Sequence, residues 1–514
     1  MKNILKNIAL ATLLVSGASL TSCTGSFLDE DSNPNVLSPS TFWKSEADIM
    51  KGLTAAYAAL QPNASWAVPY ERYIVIDNYR SDECDFRADV SSWMALAMYT
   101  NESTNSVTKK EWTNLYTGIN YANQCIDNIP NVPETGSGVA ELKRQALAEA
   151  RFLRAFFYFR LYINYGENLP IFLHQIEGSE EEFYPPQAGA GEVVNLIESE
   201  LKEVQNDLPE SYDASYAGRA TRYAAAALLG KFYMFRHELS KAEAEFAKLI
   251  GKFRLVDNYY DNFDGMHENN SESVLELQFT GDMSGGQYEY NLFAIHLASF
   301  NAVYDGYGGY EEAYPTPWLC NVLMNDLTED GKHSDRCIGT IIFDDPSCRP
   351  FYYEEGKSFK DYHSEGEVFW HKYVHYDPSQ GPWWDNSGFN VPLIRYADIL
   401  LLYAECLNDR GATADAIGYI NQVRARVKVP ALPTTMSKQE VLKHLQDVER
   451  PCELALEGSR WYDLIRWGIV ENTLKEHNKP YASNFVATKH TLLPIPHDEF
   501  LMNTDWEQNP GYSK

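Results

Sequence analysis

The stretch RYAAAALLGKFYMFRHELSKAEAEFAKLI, residues 222–250, has the same pattern as RYADILLLYAECLNDRGATADAIGYINQVRARV, residues 395–427. Both begin with Arg-Tyr-Ala and place a pair of leucines six and seven positions later. In each, a short polar turn follows, and then a second amphipathic segment. Two-helix units that repeat over about 34 residues are typical of tetratricopeptide repeats. The two stretches therefore predict a helical-repeat scaffold.

A further block of helical periodicity lies upstream, at residues 142–163. Apolar side chains recur there at spacings of three and four on two sides of the helix, which predicts burial between neighbouring helices. Gly166 and Pro170 mark its expected end. With amphipathic stretches at residues 112–129 and 193–208, we predict helical repeats over three ranges. These are about 44–60, 107–255 and 393–470.

Residues 257–392 have a different composition, rich in Gly, Tyr, Trp, Asp and Pro, with only short apolar runs. Residues 61–106 are similar. Long irregular segments in a compact protein are usually functional or disordered, and this many aromatic residues argue against disorder. The sequence therefore predicts a mainly α fold with a loop-rich, short-strand side that has a functional role.

Residues 1–22 have the pattern of a bacterial export signal, with two early lysines and a short apolar run. The run is too short to span a bilayer, which takes about 20 apolar residues. It ends in Leu20-Thr21-Ser22-Cys23, which resembles a lipobox and predicts lipidation of Cys23. The alternative is an ordinary signal peptide followed by a chance cysteine. We expect residues 23–514 to form a single domain.

Charge and cysteine content exclude several kinds of partner and site. The chain has 43 basic and 72 acidic residues, a net charge of -29, which argues against nucleic acid as a partner. Seven cysteines besides Cys23 show no CxxC or metal-ligand spacing. Cys337 and Cys348 could pair in an oxidising exterior, but buried free thiols are the default expectation.

Four stretches, at residues 148–172, 395–427, 449–468 and 492–512, resemble the SusD/RagB family. They contain AEARFLRAFFYFRLYINYGENLPIF, RYADILLLYAECLND with NQVRARV, ERPCELALEGSRWYDLIRWG and LLPIPHDEFLMNTDWEQNPGY. Together with Cys23, the resemblance covers most of the chain in order.

The resemblance implies a scaffold of four tetratricopeptide helix pairs that supports a loop-rich ligand-binding side. It implies a lipid-anchored protein of the outer membrane, facing the cell surface, which binds oligosaccharide or polysaccharide. Its expected partner is a SusC-like TonB-dependent transporter. An acidic export signal after the lipidated cysteine is present only loosely, at residues 28–31.

No pattern in the chain indicates catalysis, a metal site or a cofactor. Glu453 and Glu457 lie four residues apart on one predicted helix face. Glycoside hydrolysis needs two carboxylates about 5–9.5 Å apart across a groove, which a packed repeat helix does not offer. We therefore expect a binding protein and not an enzyme, with no metal and no cofactor.

The aromatic content, 34 Tyr and 11 Trp, predicts a glycan site, because sugar rings stack on aromatic faces while polar side chains bind the hydroxyls. We expect Phe86, Trp93, Tyr288 and Tyr310 to come from separate loops and form one curved platform. The candidate residues are Phe86, Trp93, Tyr288, Tyr310, Arg72, Lys372, Tyr307, Trp318, Trp384 and Asp82. Family position favours Phe86, Tyr288 and Tyr310, with Arg72 and Lys372 binding hydroxyls.

Two alternatives remain at this point. The same scaffold could capture peptide or protein, as RagB-like members of the family do. A surface glycosidase is the other alternative, disfavoured because no acid/base pair is recognisable. The sequence names neither the sugar nor its linkage.

Overall fold

The computed structural model describes residues 42–61, 68–176, 183–280, 291–301, 308–348, 358–374 and 387–514. Helices dominate these residues, and the strands are few and short. The mainly α fold class that the sequence predicts is confirmed.

The helices are bounded as follows: α1 Glu46–Ala58, α2 Ser91–Ala97, α3 Ser106–Asn128, α4 Val139–Tyr165, α5 Glu192–Glu203, α6 Arg222–Phe235, α7 Leu239–Phe246, α8 Phe293–Leu297, α9 Pro317–Met324, α10 Asp335–Thr340, α11 Tyr396–Asp409, α12 Thr413–Arg426, α13 Lys438–His444, α14 Arg450–Leu454, α15 Arg460–Trp467, α16 Val470–Glu476, α17 Ala487–His490 and α18 His497–Met502. A turn of helix at Val68–Tyr70 continues into a π-helix at Glu71–Ile76, and a second π-helix, Leu445–Glu449, precedes α14.

Eight of these helices pack in series as four pairs. The pairs are α1 with α3, α4 with α5, α6 with α7, and α11 with α12. Contacts of α3 with α4, α5 with α6, and α7 with α11 join each pair to the next. Stacked units that contact mainly their neighbours are the architecture of a repeat protein. The two Arg-Tyr-Ala stretches form the third and fourth pairs.

Helix α4 is central to this scaffold. Phe152 and Phe157 represent its two apolar stripes, and both side chains are fully buried. The helix ends at Gly166, which has a φ of 82°, a conformation that glycine adopts without steric cost. The ring of Phe157 occupies the space that a Cβ at Gly118 would need, so α3 and α4 approach closely at this point. The predicted burial and the predicted end of this helix are both confirmed.

Within the described ranges, the strands form three antiparallel pairs on the loop-rich side. β1 (Cys84–Phe86) pairs with β3 (Ala313–Pro315), and β2 (Ser273–Leu277) pairs with β6 (Val391–Arg395). The short strands β4 (Ile341–Ile342) and β5 (Phe369–Trp370) form the third pair. Each pair joins segments that are distant in sequence, so the loops are held to one another by backbone hydrogen bonds.

All seven cysteines within the described ranges, including Cys337 and Cys348, are buried and free. The default expectation of buried thiols is confirmed, and the Cys337–Cys348 disulfide is not formed. Among the helices that the structure describes, none combines the length and the apolar character needed to cross a lipid bilayer.

Candidate functional site

Ten charged side chains lie together inside the molecule, and we call them the interior ion-pair cluster. Its five cations and five carboxylates are Arg336, Lys372, Arg395, Arg424, Arg426, Glu272, Asp326, Glu449, Glu453 and Glu457. Buried charges are stable only when they are paired and hydrogen-bonded, and equal numbers of both signs meet that requirement. The cluster ties the loop-rich side to α12 and α14.

Arg336 shows how completely these charges are paired. Its Nε and Nη2 each donate to Asp326 at 2.8 Å, and its Nη1 donates to Glu449 at 2.6 Å. Burial alone would raise the pKa of Glu449, but the charge of Arg336, a hydrogen bond with His444 and the charge of Arg424 outweigh it and hold that pKa below its usual range. Glu449 therefore stays ionised and bound to its cations.

Glu453 and Glu457 belong to this cluster. Glu453 accepts from Arg395 at 3.1 Å and also from Arg426, while Glu457 accepts from Lys372 at 2.8 Å and Arg395 at 2.7 Å. Neither carboxylate is available to flank a scissile bond across a groove.

Lys372 requires a correction to the predicted site. Its side chain is fully buried, and its Nζ donates to the carbonyl of Ala455 and to Glu457, both at 2.8 Å. The same Nζ lies 4.5 Å from the ring centroid of Phe263. A group enclosed in this way presents no surface to a sugar, so the predicted role of Lys372 in binding hydroxyls is wrong.

Arg72 and Asp82 are corrected for the same reason. Arg72 is fully buried, where its Nε donates to Glu111 at 2.7 Å. Both carboxylate oxygens of buried Asp82 accept from Arg460, at 2.8 and 2.7 Å, and one also contacts His477 at 2.7 Å. Burial would raise the pKa of Asp82, but Arg460 and His477 hold it well below its usual range. These residues hold the interior together.

Aromatic side chains from four separate segments reach the surface in one neighbourhood, and we call them the aromatic shelf. The shelf consists of Phe86, Phe300, Tyr310 and Tyr481. Phe86 is half-buried, and the other three side chains are 49%, 40% and 46% exposed in that order. Phe86 ends β1, Phe300 follows α8, Tyr310 precedes β3, and Tyr481 follows α16.

A buried aromatic base supports the shelf, and it consists of Tyr70, Tyr79, Trp93 and His296. The ring of Trp93 lies 5.3 Å from that of Tyr70, 6.4 Å from that of Tyr79 and 5.6 Å from that of His296. These centroid distances fall within the range of favourable aromatic pairs, about 4.5–7 Å. The indole N–H of Trp93 donates to Glu71 at 3.0 Å. The base is therefore packed and hydrogen-bonded.

Ring contacts connect the base to the shelf. Tyr79 lies 6.2 Å from Phe86, which in turn lies 6.3 Å from Tyr481. His296 lies 5.4 Å from Tyr310. An unbroken series of ring contacts thus runs from Tyr481 to Tyr310 through the base.

Backbone hydrogen bonds fix the position of Tyr310. Its N–H donates to the carbonyl of Ile295 at 2.6 Å, and the N–H of Glu312 donates to the carbonyl of His296 at 2.7 Å. A Cβ at Gly309 would collide with the carbonyl of Ala298, so only glycine permits this close approach. The ring is held outward by a segment with little freedom.

Arg87 supplies a polar group at the shelf. Its guanidinium lies 4.8 Å from the ring centroid of Phe300 and pairs with Glu312 at 3.0 Å and with Asp89. Burial raises the pKa of Glu312 to about 7 despite Arg87. Burial also lowers the pKa of His296 to about 3, so this imidazole is neutral at physiological pH. The shelf combines flat rings with a hydrogen-bonding edge.

The structure brings together three of the predicted aromatic residues, Phe86, Trp93 and Tyr310. Phe86 and Tyr310 reach the surface, whereas Trp93 is buried and belongs to the base. Arg87, Phe300 and Tyr481 were not predicted. Arg87 and Phe300 lie within the predicted loop-rich ranges, but no local signal distinguishes Tyr481.

Trp318 is partly exposed and stacks on His477, with 3.9 Å between the ring centroids. The guanidinium of Arg460 also lies over the Trp318 ring, at 5.0 Å, so Trp318 packs beside the Asp82–Arg460 pair. The predicted site residues Tyr288, Tyr307 and Trp384, together with Cys23, lie outside the described residues.

One group of side chains in the described ranges is spaced closely enough to hold a metal ion. It consists of Asp261, Asp264 and His267, whose ligand atoms lie within 4.8 Å of one another. Nδ1 of His267 is 2.7 Å from Asp264, and this contact raises the pKa of the imidazole. The imidazole is therefore already bound by a carboxylate of its own loop, as in an ordinary surface ion pair.

The structure defines a class of protein in which a scaffold of helix pairs carries an aromatic surface on its loop-rich side. Residues 26–234 match the family model described as "Starch-binding associating with outer membrane", and residues 351–512 match the model described as "SusD family". The chain belongs to the SusD/RagB family, as the sequence motifs predict.

The similarity to known proteins extends over nearly the whole chain. SusD-like protein P2 of Formosa agariphila is 25% identical over an aligned length of 520 residues, gaps included. The alignment covers 98% of this chain and 99% of that protein. A SusD superfamily protein from Bacteroides vulgatus is 27% identical, with a TM-score of 0.79 over 92% of this chain and all of that chain. A laminarin-binding SusD-like protein is 26% identical, with a TM-score of 0.75 over 91% of this chain and all of that chain.

Proposed function

We propose that this chain is a non-catalytic glycan-binding lipoprotein of the outer membrane, facing the cell surface. In this proposal it captures oligosaccharide or polysaccharide on the aromatic shelf and delivers it to a SusC-like TonB-dependent transporter. The observation that carries the proposal is the shelf itself, in which Phe86, Phe300, Tyr310 and Tyr481 present rings to solvent over a packed aromatic base.

Such a surface suits a sugar because pyranose rings have apolar C–H faces that stack on flat aromatic rings. Aromatic side chains offer large contact area while only two side-chain torsions are fixed on binding. The base lowers this entropy cost further, because neighbouring side chains already hold the shelf rings before a ligand binds. Arg87 and the carboxylates beside it supply partners for hydroxyl groups.

Backbone strain at the shelf is consistent with a binding role. Glu311, next to Tyr310, has a φ of 54°, and Tyr481 has a φ of 62°. Non-glycine residues in such conformations cost about 1–3 kcal/mol each and are enriched at ligand sites. The surrounding contacts hold both residues in the conformations that display the neighbouring rings.

The relatives support the ligand class. One similar structure is a laminarin-binding protein, and one matching family model is described as starch-binding. Laminarin and starch are therefore the first glycans to test, without a claim that either is the natural ligand. The transporter partner is proposed because the chain belongs to the SusD/RagB family.

Absence of catalysis is proposed because the carboxylates suggested by the sequence, Glu453 and Glu457, are bound by interior cations. Incubation of the purified protein with each glycan for days should release no reducing ends above a blank. Release that disappears when one Asp or Glu is replaced would contradict this part of the proposal.

The lipid anchor is proposed at Cys23. Cys23→Ala should prevent incorporation of labelled fatty acid and leave unprocessed precursor or protein released from the membrane. The measurement is fatty-acid labelling of cells, with Cys125→Ala, a buried cysteine of α3, as the control variant. Labelling that persists in Cys23→Ala would contradict the assignment.

The binding proposal is tested by affinity electrophoresis of the protein without its lipid in gels that contain laminarin, starch or other polysaccharides. Truncation of a ring at the centre of an interface typically costs about 2 kcal/mol or more. Because about 1.4 kcal/mol is a factor of ten, Tyr310→Ala should weaken glycan binding by roughly thirtyfold. Its melting temperature should stay that of the wild type, because this ring is exposed.

The matched control is Tyr121→Ala, which removes a tyrosine of α3 that is 37% exposed and lies away from the shelf residues in sequence. This variant should bind as the wild type does. Normal binding by Tyr310→Ala to a glycan that the wild type binds would place the site elsewhere.

A further inference from the structure

An open groove lies between the segment before α6 and strand β2, and it shares no residue with the aromatic shelf. It has a volume of about 590 Å³ and runs between the segment 210–221, which precedes α6, and the segment 268–276, which includes most of β2. Small-molecule sites usually have volumes of about 300–1,000 Å³. The groove is therefore large enough for a short oligosaccharide.

Tyr216 forms the aromatic wall of this groove. Its side chain is 42% exposed, and its ring lies 6.4 Å from that of Tyr212. The guanidinium of Arg219 contacts both rings, at 5.2 Å from the centroid of Tyr212 and 5.0 Å from that of Tyr216. Such cation–π contacts hold the exposed ring in place before any ligand arrives.

A buried carboxylate anchors this wall to the scaffold. Glu149 of α4 accepts from Arg219 at 2.7 and 2.6 Å, from Tyr212 at 2.9 Å and from Tyr57 at 2.7 Å. The charge of Arg219 is thus offset by Glu149, and both side chains are fixed. The Nη1 of Arg219 makes no hydrogen bond to the described part of the chain and is available to an acceptor.

The opposite wall is polar. It includes Glu268 and Glu276, whose carboxylates accept from the backbone N–H groups of Asn390 at 2.7 Å and Asn269 at 3.0 Å. Burial raises the pKa of Glu268 to about 7, so at neutral pH this carboxyl is protonated in part and able to donate as well as accept. With Glu210 and Asp213 on the rim, the groove disfavours anionic ligands.

We propose that this groove is a second glycan-binding site that takes a neutral oligosaccharide segment, with one sugar ring stacked on Tyr216 and hydroxyl groups bound by Arg219 and Glu268. The choice of glycan as the ligand class rests on the proposed function, whereas the site itself does not depend on the shelf. Two sites on one chain would retain a polysaccharide long enough to reach both more strongly than either site alone.

The experiment measures how many oligosaccharide molecules bind to each protein chain. Equilibrium dialysis with laminarihexaose and with maltohexaose, each at saturating concentration, is run on wild type, Tyr216→Ala, Tyr216→Phe and Tyr310→Ala. The wild type should bind two molecules of one of these sugars, and Tyr216→Ala should bind one. Tyr216→Phe keeps the ring and should still bind two. In laminarin or starch gels, Tyr216→Ala should bind the polymer about tenfold more weakly at an unchanged melting temperature.

The remaining outcomes separate this inference from the proposed function. One bound molecule that only Tyr310→Ala removes overturns the second site and leaves the shelf standing. One bound molecule that only Tyr216→Ala removes supports the groove and overturns the shelf. Binding of neither sugar in dialysis, together with no retention by any polysaccharide in the gels, overturns both. Retention of an unstructured peptide library that Tyr216→Ala abolishes, with no sugar bound there, overturns the glycan assignment of the groove.

Discussion

The interior ion-pair cluster and the aromatic shelf both draw on the loop-rich side of the molecule, yet they use their side chains in opposite ways. In the cluster, Arg336 is fully buried and each of its three side-chain nitrogens donates to a carboxylate. In the shelf, Tyr310 is 40% exposed, and one side of its ring is supported by His296. The charged groups of the cluster are bound to one another, whereas the rings of the shelf remain open to the ligand that we propose.

The change from one behaviour to the other takes place within five residues. Asp82 is bound by Arg460 in the interior, whereas Phe86, at the end of β1, and Arg87 after it reach the surface. A buried charge that is already paired gains nothing from a sugar hydroxyl, because binding would first have to break the pair. An exposed ring gains contact area without losing a partner. Accessibility, and not residue type, separates the structural positions from the proposed ligand-binding positions here.

The largest effect is expected in the cluster. Arg336→Ala leaves Asp326 and Glu449 buried without their main cation, and breaking a buried ion pair costs about 3–5 kcal/mol. Urea unfolding should show this loss in the free energy of unfolding. The matched control is Arg410→Ala, whose pair with Glu243 at 2.9 Å is exposed and should cost about 1 kcal/mol or less. Equal losses of unfolding free energy from the two variants would contradict the distinction between the buried and the exposed ion pair.

Acid should destabilise the protein by protonating buried carboxylates that are paired with cations. The pKa values of Asp82, Asp398 and Glu449 are depressed in the folded state by neighbouring cations despite burial. Their contribution to stability is complete above the unfolded pKa of about 4 and is lost as pH falls toward the folded values. The free energy of unfolding should therefore fall steadily below about pH 4. Asp82→Asn should weaken that dependence, and an unchanged slope would show that Asp82 does not contribute.

The smallest effect is expected at the edge of the shelf. Tyr481 contacts only Phe86 among the ring pairs of the described residues, and rim positions of an interface contribute little. Tyr481→Ala should weaken glycan binding only a few-fold, at about 1 kcal/mol or less, well below the effect of Tyr310→Ala. A loss as large as that of Tyr310→Ala would move the centre of the site toward Tyr481.

Periodicity in the sequence was enough to predict the helical scaffold. In α4 the apolar stripes have a spacing that only a buried helix explains, and Gly166 ends it as predicted. In the two Arg-Tyr-Ala stretches, periodicity did not predict how deeply the first arginine is buried. Arg222 begins α6 and is partly exposed, whereas Arg395 ends β6 and is buried in the cluster. The difference comes from the pairing of β6 with β2, which no local pattern reveals.

Of the residues predicted for the site, the loop aromatics Phe86 and Tyr310 reach the surface, whereas the polar residues Arg72 and Lys372 are buried. Phe86 and Tyr310 were identified from loop composition and family position, and they lie on the shelf. Arg72 and Lys372 are residues of a suitable type, but their burial is decided by distant partners such as Glu111 and Glu457. Tyr481 reaches Phe86 from almost 400 positions away, through tertiary structure alone.

A crystal structure of the protein with an oligosaccharide of the glycan that it binds most tightly tests the central claim most directly. We expect a sugar ring in van der Waals contact with the Tyr310 ring, about 4 Å away, and further contacts to Phe86 or Phe300. The Asp82–Arg460 and Lys372–Glu457 pairs should remain closed in the complex. A sugar bound by Arg72, Asp82 or Lys372, with the shelf rings free of ligand, would contradict the account.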